Sequence, residues 1–311
     1  MKFNNCIVTK NDAGRRLDRI LRRMLPDIPL SKLYQLLRKG LIRVDGKRVS
    51  PESCVSEGSI ISIAEVTDTE TQKSTILTTK PVFSLLMPEI LLETSDLLFV
   101  NKPSGIAVHG EGGLDTLVPQ SLGAKESLSF RSGPLHRLDR DTTGIIAFSR
   151  SLDGARWFSQ GMREHIFEKY YLGIIHGLLK KKTEWLDYDD EDKKMITIAS
   201  PCAVSKSNEE RTLVLFKIIT GRKHQIRKQS SKHGFPLWGD SLYGSISKDK
   251  KFFLHAWQLH FPDIRMPELP SHLVAPLPKE FLSVITLDFP EYVLAHIESA
   301  ELYWRKNEEL Q

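Results

Sequence analysis

The sequence lacks the features of a membrane-spanning protein. None of its 311 residues lies in a run approaching the roughly 18 consecutive apolar residues that a transmembrane helix needs. Even the apolar region 85–100 is interrupted by Pro88, Glu89, Glu93 and Asp96. The first residues are polar and basic and contain no apolar core of a signal peptide. We therefore expect a protein that has no membrane partner and stays in the cytoplasm.

The sequence is also poor in residues that form disulfides or bind metals. Its three cysteines, Cys6, Cys54 and Cys202, are odd in number and far apart, which argues against a disulfide framework and a CxxC zinc site. No histidine pair has the HxxxH spacing of a zinc site. The glycine-rich segment 110–113 lacks the Gly-Lys-Ser/Thr ending of a phosphate-binding P-loop. We therefore expect reduced thiols and no metal site.

Positive charge is concentrated near the N-terminus. The whole chain carries 44 Lys and Arg against 39 Asp and Glu, a net charge of +5, and 40% of its residues are hydrophobic, as in a globular protein. Residues 15–48 hold eleven Lys and Arg against three Asp, a net charge of +8, which leaves −3 for the other 277 residues. The basic charge therefore belongs to one N-terminal module.

The pattern of this module predicts two short helices. Apolar residues within 17–25 recur at the spacing of one helical face, and Pro26 ends the pattern. Ser31 is the expected N-cap of a second helix, and Gly40 is expected to end that helix in a left-handed conformation.

A hairpin is predicted after the second helix, because the turn pair Asp45-Gly46 separates the segments 41–44 and 47–49. The Lys and Arg of the module are not interspersed with Glu, which favours contact with nucleic acid over an ordinary solvated helix face. The residues that we expect to contact RNA are Arg15, Arg16, Arg19, Lys32, Arg38, Lys39, Arg43 and Lys47.

The segment 14–63 resembles the alpha-L RNA-binding module of a ribosomal small-subunit protein and of many RNA-modifying enzymes. The matching residues are Arg16-Leu17-Asp18, Ser31-Lys32 and the run 41–47. The resemblance implies that the module binds structured RNA by its shape and phosphates rather than by base identity.

The composition changes twice after this module. Six threonines and many charged residues between 67 and 79 are typical of a linker. From about residue 91 apolar runs typical of strands alternate with helical patterns, as in a mixed α+β domain. We therefore predict an RNA-binding module at 1–65, a linker at 66–90 and a catalytic domain at 91–311. Strands are expected at 97–100, 145–148, 171–175 and 213–216.

Two polar clusters carry the chemistry. The run 136–144 alone is equally consistent with a surface turn in which arginines neutralise aspartates, but a second cluster occupies 221–227. Together with 101–105, 169–172 and 254–256, these clusters resemble the pseudouridine synthases that modify ribosomal and transfer RNA. The resemblance covers most of the chain. It implies a largely antiparallel mixed sheet with flanking helices, and it points to the subgroup that acts on large-subunit ribosomal RNA.

Three features depart from the family pattern. Thr143 stands where serine is usual, Gln229 stands where histidine is common, and the region 187–212 looks shortened. We expect the residues at 143 and 229 to leave the catalysed reaction unchanged and the shortened region to affect which RNA the protein binds. The acidic run 187–192 is expected to form a solvated hairpin tip.

The reaction itself indicates which groups are needed. Converting uridine to pseudouridine breaks the bond between ribose and a base nitrogen, rotates the uracil and joins the sugar to a base carbon, so no cofactor is required. One ionised carboxylate suits this reaction, either as a nucleophile on the sugar or as a base that assists elimination. Asp139 matches the family's Leu-Asp position and is flanked by Arg137 and Arg140, which favour its charged form.

The resemblance implies further roles for individual residues. Arg227 would pair with Asp139, Tyr171 would pack against the target base and accept a proton, and Arg137 would fill the gap left by the extruded nucleotide. Further expected substrate contacts are His136, Arg222, His224 and Gln225. The expected partner is RNA, specifically a 23S-type ribosomal RNA or a ribosome precursor, bound by a monomer.

Two alternatives from other classes remain open at this point. Asp139, Asp141 and Asp240 could bind Mg²⁺ in a metal-dependent ribonuclease. The chain could also be a non-catalytic RNA-binding or assembly factor that uses only its basic module.

Overall fold

The computed structural model describes residues 3–64, 87–121, 127–207, 210–245, 251–262, 266, 268–297 and 299. The chain divides into two compact units. Unit 1 comprises Met1–Met87, Val118–Gly133 and Arg150–Gly154, and unit 2 comprises Pro88–Leu117, Pro134–Ser149 and Ala155–Gln311. Most of the predicted linker, residues 66–86, lies outside the described residues, as does residue 65. Within the described part, every helix is too short or too polar to span a bilayer.

Unit 1 is built from two helices and a small antiparallel sheet. The helices are α1 (Leu17–Met24) and α2 (Leu30–Arg38), and the strands are β1 (Phe3–Ile7), β2 (Ile42–Val44) and β3 (Ile60–Ala64), in the order β1-β3-β2. The apolar face of each helix is buried in one core, as its spacing predicted. The core residues that the two helices contribute are Leu17, Ile20, Leu21, Leu33, Leu36 and Leu37.

The helix and turn boundaries of unit 1 follow from backbone chemistry. The prediction that Ser31 caps α2 is wrong, because the cap is Pro29, whose φ of −57° already suits the start of a helix. Gly40 does follow α2 in the left-handed conformation, with φ +69°. Asp45 and Gly46 both have positive φ, and the flanking residues exchange two backbone hydrogen bonds around this turn. Beyond the turn, β2 pairs with β3.

Unit 2 is a mixed sheet of nine described strands. They are β4 (Glu89–Glu93), β5 (Leu97–Lys102), β6 (Thr143–Ser149), β7 (Glu168–His176), β8 (Thr183–Tyr188), β9 (Lys194–Val204), β10 (Arg211–Ile218), β11 (Leu254–His260) and β12 (His272–Val274). Their order is β4-β5-β6-β11-β7-β10-β9-β8, with β12 paired to β11. Only the β6–β11 pair is parallel among these described strands. The predicted fold class is confirmed, and each of the four predicted strands lies within one of these elements.

Helices cover both faces of this sheet. They are α4 (Leu152–Arg163), α5 (Gln225–Lys232) and α6 (Lys279–Asp288). A further helix, α3, spans Leu114–Ser121, and a 3-10 turn occupies Ser241–Tyr243. Alternate residues of β7 face opposite sides, so Leu172 packs with Phe281 of α6, whereas Ile175 packs with Ile226 of α5. Tyr171 belongs to the cluster on the α5 side. The sheet therefore presents Tyr171 towards the helix that carries Arg227.

Candidate active site

Asp139 lies on the loop 136–142, which a buried lysine holds in place. Lys102 at the end of β5 is fully buried, and its Nζ donates hydrogen bonds to the carbonyl oxygens of Arg140 (2.7 Å) and Pro103 (2.9 Å). Arg140 Nε in turn donates to the carbonyl oxygen of Gly105 at 2.9 Å. Burial lowers the pKa of Lys102 to about 8, against the opposing attraction of Asp141 and Asp139. The motif at 101–105 thus serves to fix the Asp139 loop.

The far end of the loop is fixed where β6 meets β11. Gly144 has φ +108°, and a Cβ atom there would come within 2.2 Å of the carbonyl oxygen of Ala256, so only glycine fits. Next to it, Thr143 Oγ1 lies 2.7 Å from His255 Nδ1 in the buried interior. The threonine at this family-variable position therefore makes a defined structural hydrogen bond.

Arg227 joins two carboxylates. Its Nη1 donates to Asp139 Oδ2 at 3.1 Å, while Nε and Nη2 donate to the two oxygens of Asp240 at 2.7 and 2.9 Å. Asp240 is 1% exposed and holds the guanidinium in a bidentate pair, whereas the Asp139 side chain is 16% exposed. Asp139 is therefore the member of this trio that remains accessible to a substrate.

Aromatic rings enclose the same guanidinium. The Arg227 guanidinium carbon lies 4.3 Å from the ring centroid of Phe252 and 5.0 Å from that of Tyr243. These contacts restrict access of water to the cation and strengthen its attraction for Asp139. The geometry places a negative carboxylate beside a fixed positive charge at the edge of an apolar wall.

His224 stands on the other side of Asp139. It precedes α5 with φ +56°, its Nδ1 lies 2.8 Å from Tyr243 Oη, and its Nε2 lies 3.6 Å from Asp139 Oδ1. Burial lowers the pKa of His224 even though the negative charge of Asp139 opposes this shift. A neutral imidazole is therefore favoured beside the carboxylate at neutral pH.

Tyr171 extends from β7 towards this group. Burial, followed by the negative charge of Asp139, raises the pKa of its phenol, so the phenol keeps its proton at neutral pH. The cavity that Tyr171 lines with Phe158, Met162 and Lys169 measures about 20 Å³, space for about one water molecule. A pyrimidine does not fit this space as it stands.

His136 also lines this small cavity, but its role in the structure is mainly packing. Its Nε2 accepts the backbone N–H of Ala147 at 3.0 Å, and its ring stacks on Phe158. Burial, with a smaller contribution from the charge of Lys169, lowers the pKa of His136 to about 4. A neutral, backbone-bound histidine orients the loop that carries Asp139.

Gln225 is not available to a substrate, so its expected role as a substrate contact needs correction. Its Oε1 accepts hydrogen bonds from Arg222 N and Thr220 Oγ1, while its Nε2 donates to Ile196 O and Thr197 Oγ1. All four hydrogen-bonding positions of the buried amide are thus occupied. Of the other expected contacts, Arg137 and Arg222 are exposed.

Asp187 and Gln229 are also bound within the protein interior. Gln229 is fully buried, accepts from Thr197 Oγ1 and donates to Asp187 Oδ2, which joins α5 to the β8–β9 hairpin. Asp187 is 5% exposed and also pairs with Lys232 and His233, so its predicted place in a solvated tip is wrong. Its burial would raise its pKa, but these partners lower the pKa to about 2.

The eight residues expected to contact RNA divide into two groups in unit 1. Arg16 forms a bidentate pair with Asp18, Arg43 Nε donates to Gly40 O at 2.9 Å, and Arg15 Nη1 donates to Ser129 Oγ at 2.8 Å. The other five are exposed and make no ion pair with the described residues: Arg19, Lys32, Arg38, Lys39 and Lys47. This second group is the part of the basic surface that is free to bind phosphates.

Sequence reasoning missed several residues that build the site. Asp240 was considered only as a metal ligand, and Phe252 was not considered at all, because no local pattern marks a residue that packs on an arginine from a distant strand. Lys102 belonged to a recognised motif, but its contact with the Asp139 loop spans 38 positions of sequence. The only sequence signals were the place of Lys102 in the segment 101–105 and that of Asp240 at the end of the run 234–240, which follows the second polar cluster.

Comparison with known proteins identifies the family of this chain. Residues 96–232 match the RNA pseudouridylate synthase family and residues 15–61 match the S4 domain. The protein named ribosomal large subunit pseudouridine synthase C from Vibrio vulnificus strain CMCP6 is 32% identical over 300 residues, covering 89% of this chain and 94% of that protein. The chain belongs to the RNA pseudouridylate synthase family. It is therefore an RNA-modifying enzyme that isomerises uridine.

Further relatives of this pseudouridine synthase extend the comparison. The protein of the same name from Escherichia coli strain K12 is 31% identical over 277 residues, covering 82% of this chain and 87% of that protein. The solved structure of human RNA pseudouridylate synthase domain containing 4 has a TM-score of 0.53 at 23% identity, covering 63% of this chain and 91% of that one. The latter likeness establishes the fold alone.

Both earlier alternatives are disfavoured for this pseudouridine synthase. Family membership argues against a non-catalytic binding factor. A magnesium site built on Asp139 and Asp240 would have to displace Arg227, whose guanidinium already binds both carboxylates. The sequence hypothesis of an isomerase is the one that the comparisons support.

Proposed function

We propose that this enzyme converts specific uridines of large-subunit ribosomal RNA, or of its precursor, to pseudouridine. The names of the Vibrio vulnificus and Escherichia coli relatives support this substrate. We further propose that it acts in the cytoplasm as a monomer. The observation that carries the catalytic part of the proposal is the ion pair of the accessible Asp139 with the buried, Asp240-anchored Arg227.

Asp139 is the proposed catalytic residue. Its carboxylate either attacks carbon 1′ of the ribose or assists elimination, and in both routes the bond to nitrogen 1 of uracil breaks. The detached base then rotates and bonds through carbon 5, and the proton from carbon 5 is balanced by the one that nitrogen 1 gains. No atom is added or lost, so the residues of the chain suffice for the reaction.

Tyr171 and Arg227 are proposed to support this step. The aromatic ring of Tyr171 offers a stacking surface that retains the detached base. Because the phenol holds its own proton, it is a weak proton acceptor, and we assign the removal of the carbon 5 proton to the Asp139 carboxylate. Arg227 fixes the carboxylate and stabilises its negative charge whenever it is released.

The RNA has to deform for this reaction to occur. A uridine stacked in a helix does not present its sugar to Asp139, so the nucleotide must be extruded at a cost of a few kcal/mol, which is smaller in loops and bulges. The exposed Arg137, two residues before Asp139, is the proposed side chain that fills the vacated space. The exposed Arg222 and the neutral His224 are the proposed neighbours of the substrate.

The test compares the protein with its Asp139→Asn variant on ribosomal RNA that lacks pseudouridine. Without ATP or added metal, the unaltered protein should convert specific uridines, and the variant should lose activity by roughly 10³-fold or more, the scale seen when a catalytic group is removed. Pseudouridine is mapped by mass spectrometry, and RNA binding is measured in parallel.

Asp190→Asn is the matched control, because this carboxylate is 91% exposed on the β8–β9 turn. Turnover by Asp139→Asn close to that of the control would mean that another carboxylate is catalytic. Conversion of small-subunit or transfer RNA alone would contradict the proposed substrate.

A further inference from the structure

A second cavity of unit 2 lies beside the Asp139 loop. Its volume is about 570 Å³, within the roughly 300 to 1,000 Å³ of small-molecule sites. The loop and β6, the segment after β5, the residues before β11 and the start of α6 all contribute to it. The residues that matter for its chemistry are Pro103, Asp141, Lys251, Phe253, Glu280 and Phe281.

Phe252 connects this cavity to the catalytic group. Its ring lines the cavity and also packs on the guanidinium of Arg227, which binds Asp139. Asp141 follows Asp139 by two residues on the same loop. A nucleotide next in the RNA chain to a uridine held at Asp139 is therefore the group best placed to enter the cavity.

The lining favours a nucleobase over a phosphate. The rings of Phe253 and Phe281 and the face of Pro103 supply apolar surface against which a planar base can pack. Two carboxylates, Asp141 and Glu280, outnumber the one ammonium group, Lys251, so the lining carries a net negative charge that disfavours an anion, while the carboxylates accept hydrogen bonds from N–H groups. The ligand class that satisfies both conditions is an aromatic ring with N–H donors on its edge.

Asp141 has unused acceptor capacity. Within the described residues it accepts no hydrogen bond, and its electrostatic partner is Lys102, whose ammonium group donates instead to two carbonyl oxygens. A partly buried carboxylate whose oxygens accept no hydrogen bond is stabilised most by a ligand that donates one hydrogen bond to each oxygen.

We propose that this cavity binds a nucleobase flanking the target uridine and that Asp141 makes it selective for guanine. Guanine presents its N1–H and its exocyclic amino group side by side, so one carboxylate accepts both, whereas uracil presents a single N–H between two carbonyl oxygens. This inference rests on the proposed function, because it takes the uridine at Asp139 as its reference point.

The test uses RNA hairpins with one loop uridine flanked on either side by guanine, adenine, cytosine or uracil. Affinity is measured by fluorescence anisotropy with the Asp139→Asn protein, so that binding is read without turnover. On one side of the uridine, guanine should bind about tenfold more tightly than the other bases, the scale of a bidentate base contact. Inosine in its place, which lacks the amino group, should lose most of this advantage.

A second substitution, Asp141→Asn, should remove the preference for guanine, while Glu184→Gln, an exposed carboxylate on β8 outside the cavity, should leave it unchanged. Equal affinity for all flanking bases, or a preference that survives Asp141→Asn, would overturn the inference. Failure of the unaltered protein to convert any hairpin or ribosomal RNA would instead overturn the proposed function, because the binding preference is measured independently of it.

Discussion

At the scale of single residues, the candidate site depends on how each polar group divides its hydrogen bonds. Arg227 uses two donors on the buried Asp240 and one on the accessible Asp139. Gln225 and Gln229 use their amides entirely on the protein, although both lie in the same helix as Arg227. Neighbours in one short motif therefore differ in their partners, since Arg227 reaches the accessible Asp139 whereas the two glutamines bind only buried groups of the fold.

Replacing Arg227 with lysine should keep a positive charge near Asp139 but remove the hydrogen-bond geometry that orients its carboxylate. A single ammonium group cannot bind Asp240 through two donors and still reach Asp139, so kcat should fall about 10- to 100-fold, the cost of roughly 1.4 to 2.8 kcal/mol. KM should change little, since the exposed RNA contacts remain. Single-turnover kinetics on unmodified ribosomal RNA measure the effect. Arg163→Lys, at an exposed position of α4, is the control, and equal kcat values for the two variants would contradict the role of Arg227.

At the scale of elements, a buried carboxylate organises unit 1. Asp12 is fully buried and accepts hydrogen bonds from Ser127 Oγ (2.9 Å), Leu128 N (3.0 Å), Ser129 N (2.8 Å) and Ser129 Oγ (2.6 Å). Nearby, Asn11 Oδ1 accepts from Leu152 N at 3.1 Å. The loop before α1 thus binds two chain segments that are distant in sequence, and this explains why unit 1 extends beyond residue 65.

The Asp12→Asn substitution should remove the stabilisation of unit 1 by the buried carboxylate, and the size of this effect should depend on pH. Burial alone would raise the pKa of Asp12, but its hydrogen bonds to Ser129, Thr9, Leu128 and Ser127 lower the pKa to about 2. Because this value lies below that of an unfolded aspartate, the stabilisation is full above about pH 4 and is lost as pH falls towards 2. At pH 7 the free energy of unfolding of the variant should be about 2 kcal/mol lower than that of the unaltered protein.

Urea unfolding at several pH values measures this difference. The gap between the two proteins should close as the pH approaches 2, while Asp27→Asn, an exposed aspartate of unit 1, should match the unaltered protein throughout. A gap of constant size between pH 7 and 2 would show that the charge of Asp12 is not the stabilising feature.

At the scale of the whole molecule, charge and chemistry are carried by different parts of the sequence. Residues 15–48 carry a net charge of +8, and the remainder of the chain carries −3. Five exposed RNA-contact candidates of unit 1, Arg19, Lys32, Arg38, Lys39 and Lys47, can attract phosphates, whereas the proposed catalytic group is Asp139 of unit 2. Affinity and turnover should therefore respond to different substitutions.

Neutralising part of the basic surface should weaken binding more than chemistry. The triple variant Lys32→Gln, Lys39→Gln, Lys47→Gln should bind ribosomal RNA more weakly. The slope of the logarithm of its affinity against the logarithm of salt concentration should become smaller by about 0.7 to 0.9 for each phosphate that is no longer neutralised. The kcat at saturating RNA should stay within about twofold. Substitutions are preferred to deletion of residues 1–65, because that deletion would also remove the partners of segment 127–129.

The matched control replaces the three exposed lysines 180–182 of unit 2 with glutamine. If the dependence of RNA affinity on salt concentration decreased equally in both triple variants, the total charge, and not the surface of unit 1, would be what attracts the RNA. Affinity is measured by filter binding between 50 and 200 mM salt.

Local pattern was sufficient for much of the fold. The spacing of apolar residues predicted α1 and α2, because a helix on a core buries every third to fourth residue, and short apolar runs predicted the strands that became β5, β6, β7 and β10. Gly40 and the Asp45-Gly46 turn were also predictable, since left-handed backbone requires such residues. The start of α2 was not, because Pro29 and Ser31 both suit a helix start and the local sequence does not distinguish them.

Sequence alone determined that this chain holds a basic RNA-binding module and a catalytic domain of the RNA pseudouridylate synthase family, because ordered motifs and charge density are properties of the chain itself. Only the tertiary structure decided which of the polar residues are buried and which are accessible around Asp139. It assigned Gln225 and Asp187 to the interior, and it brought Arg227, Asp240 and Phe252 to Asp139 from distant positions. The physical reason is that hydrogen bonds and cavities form between chain segments whose distance in space no local pattern records.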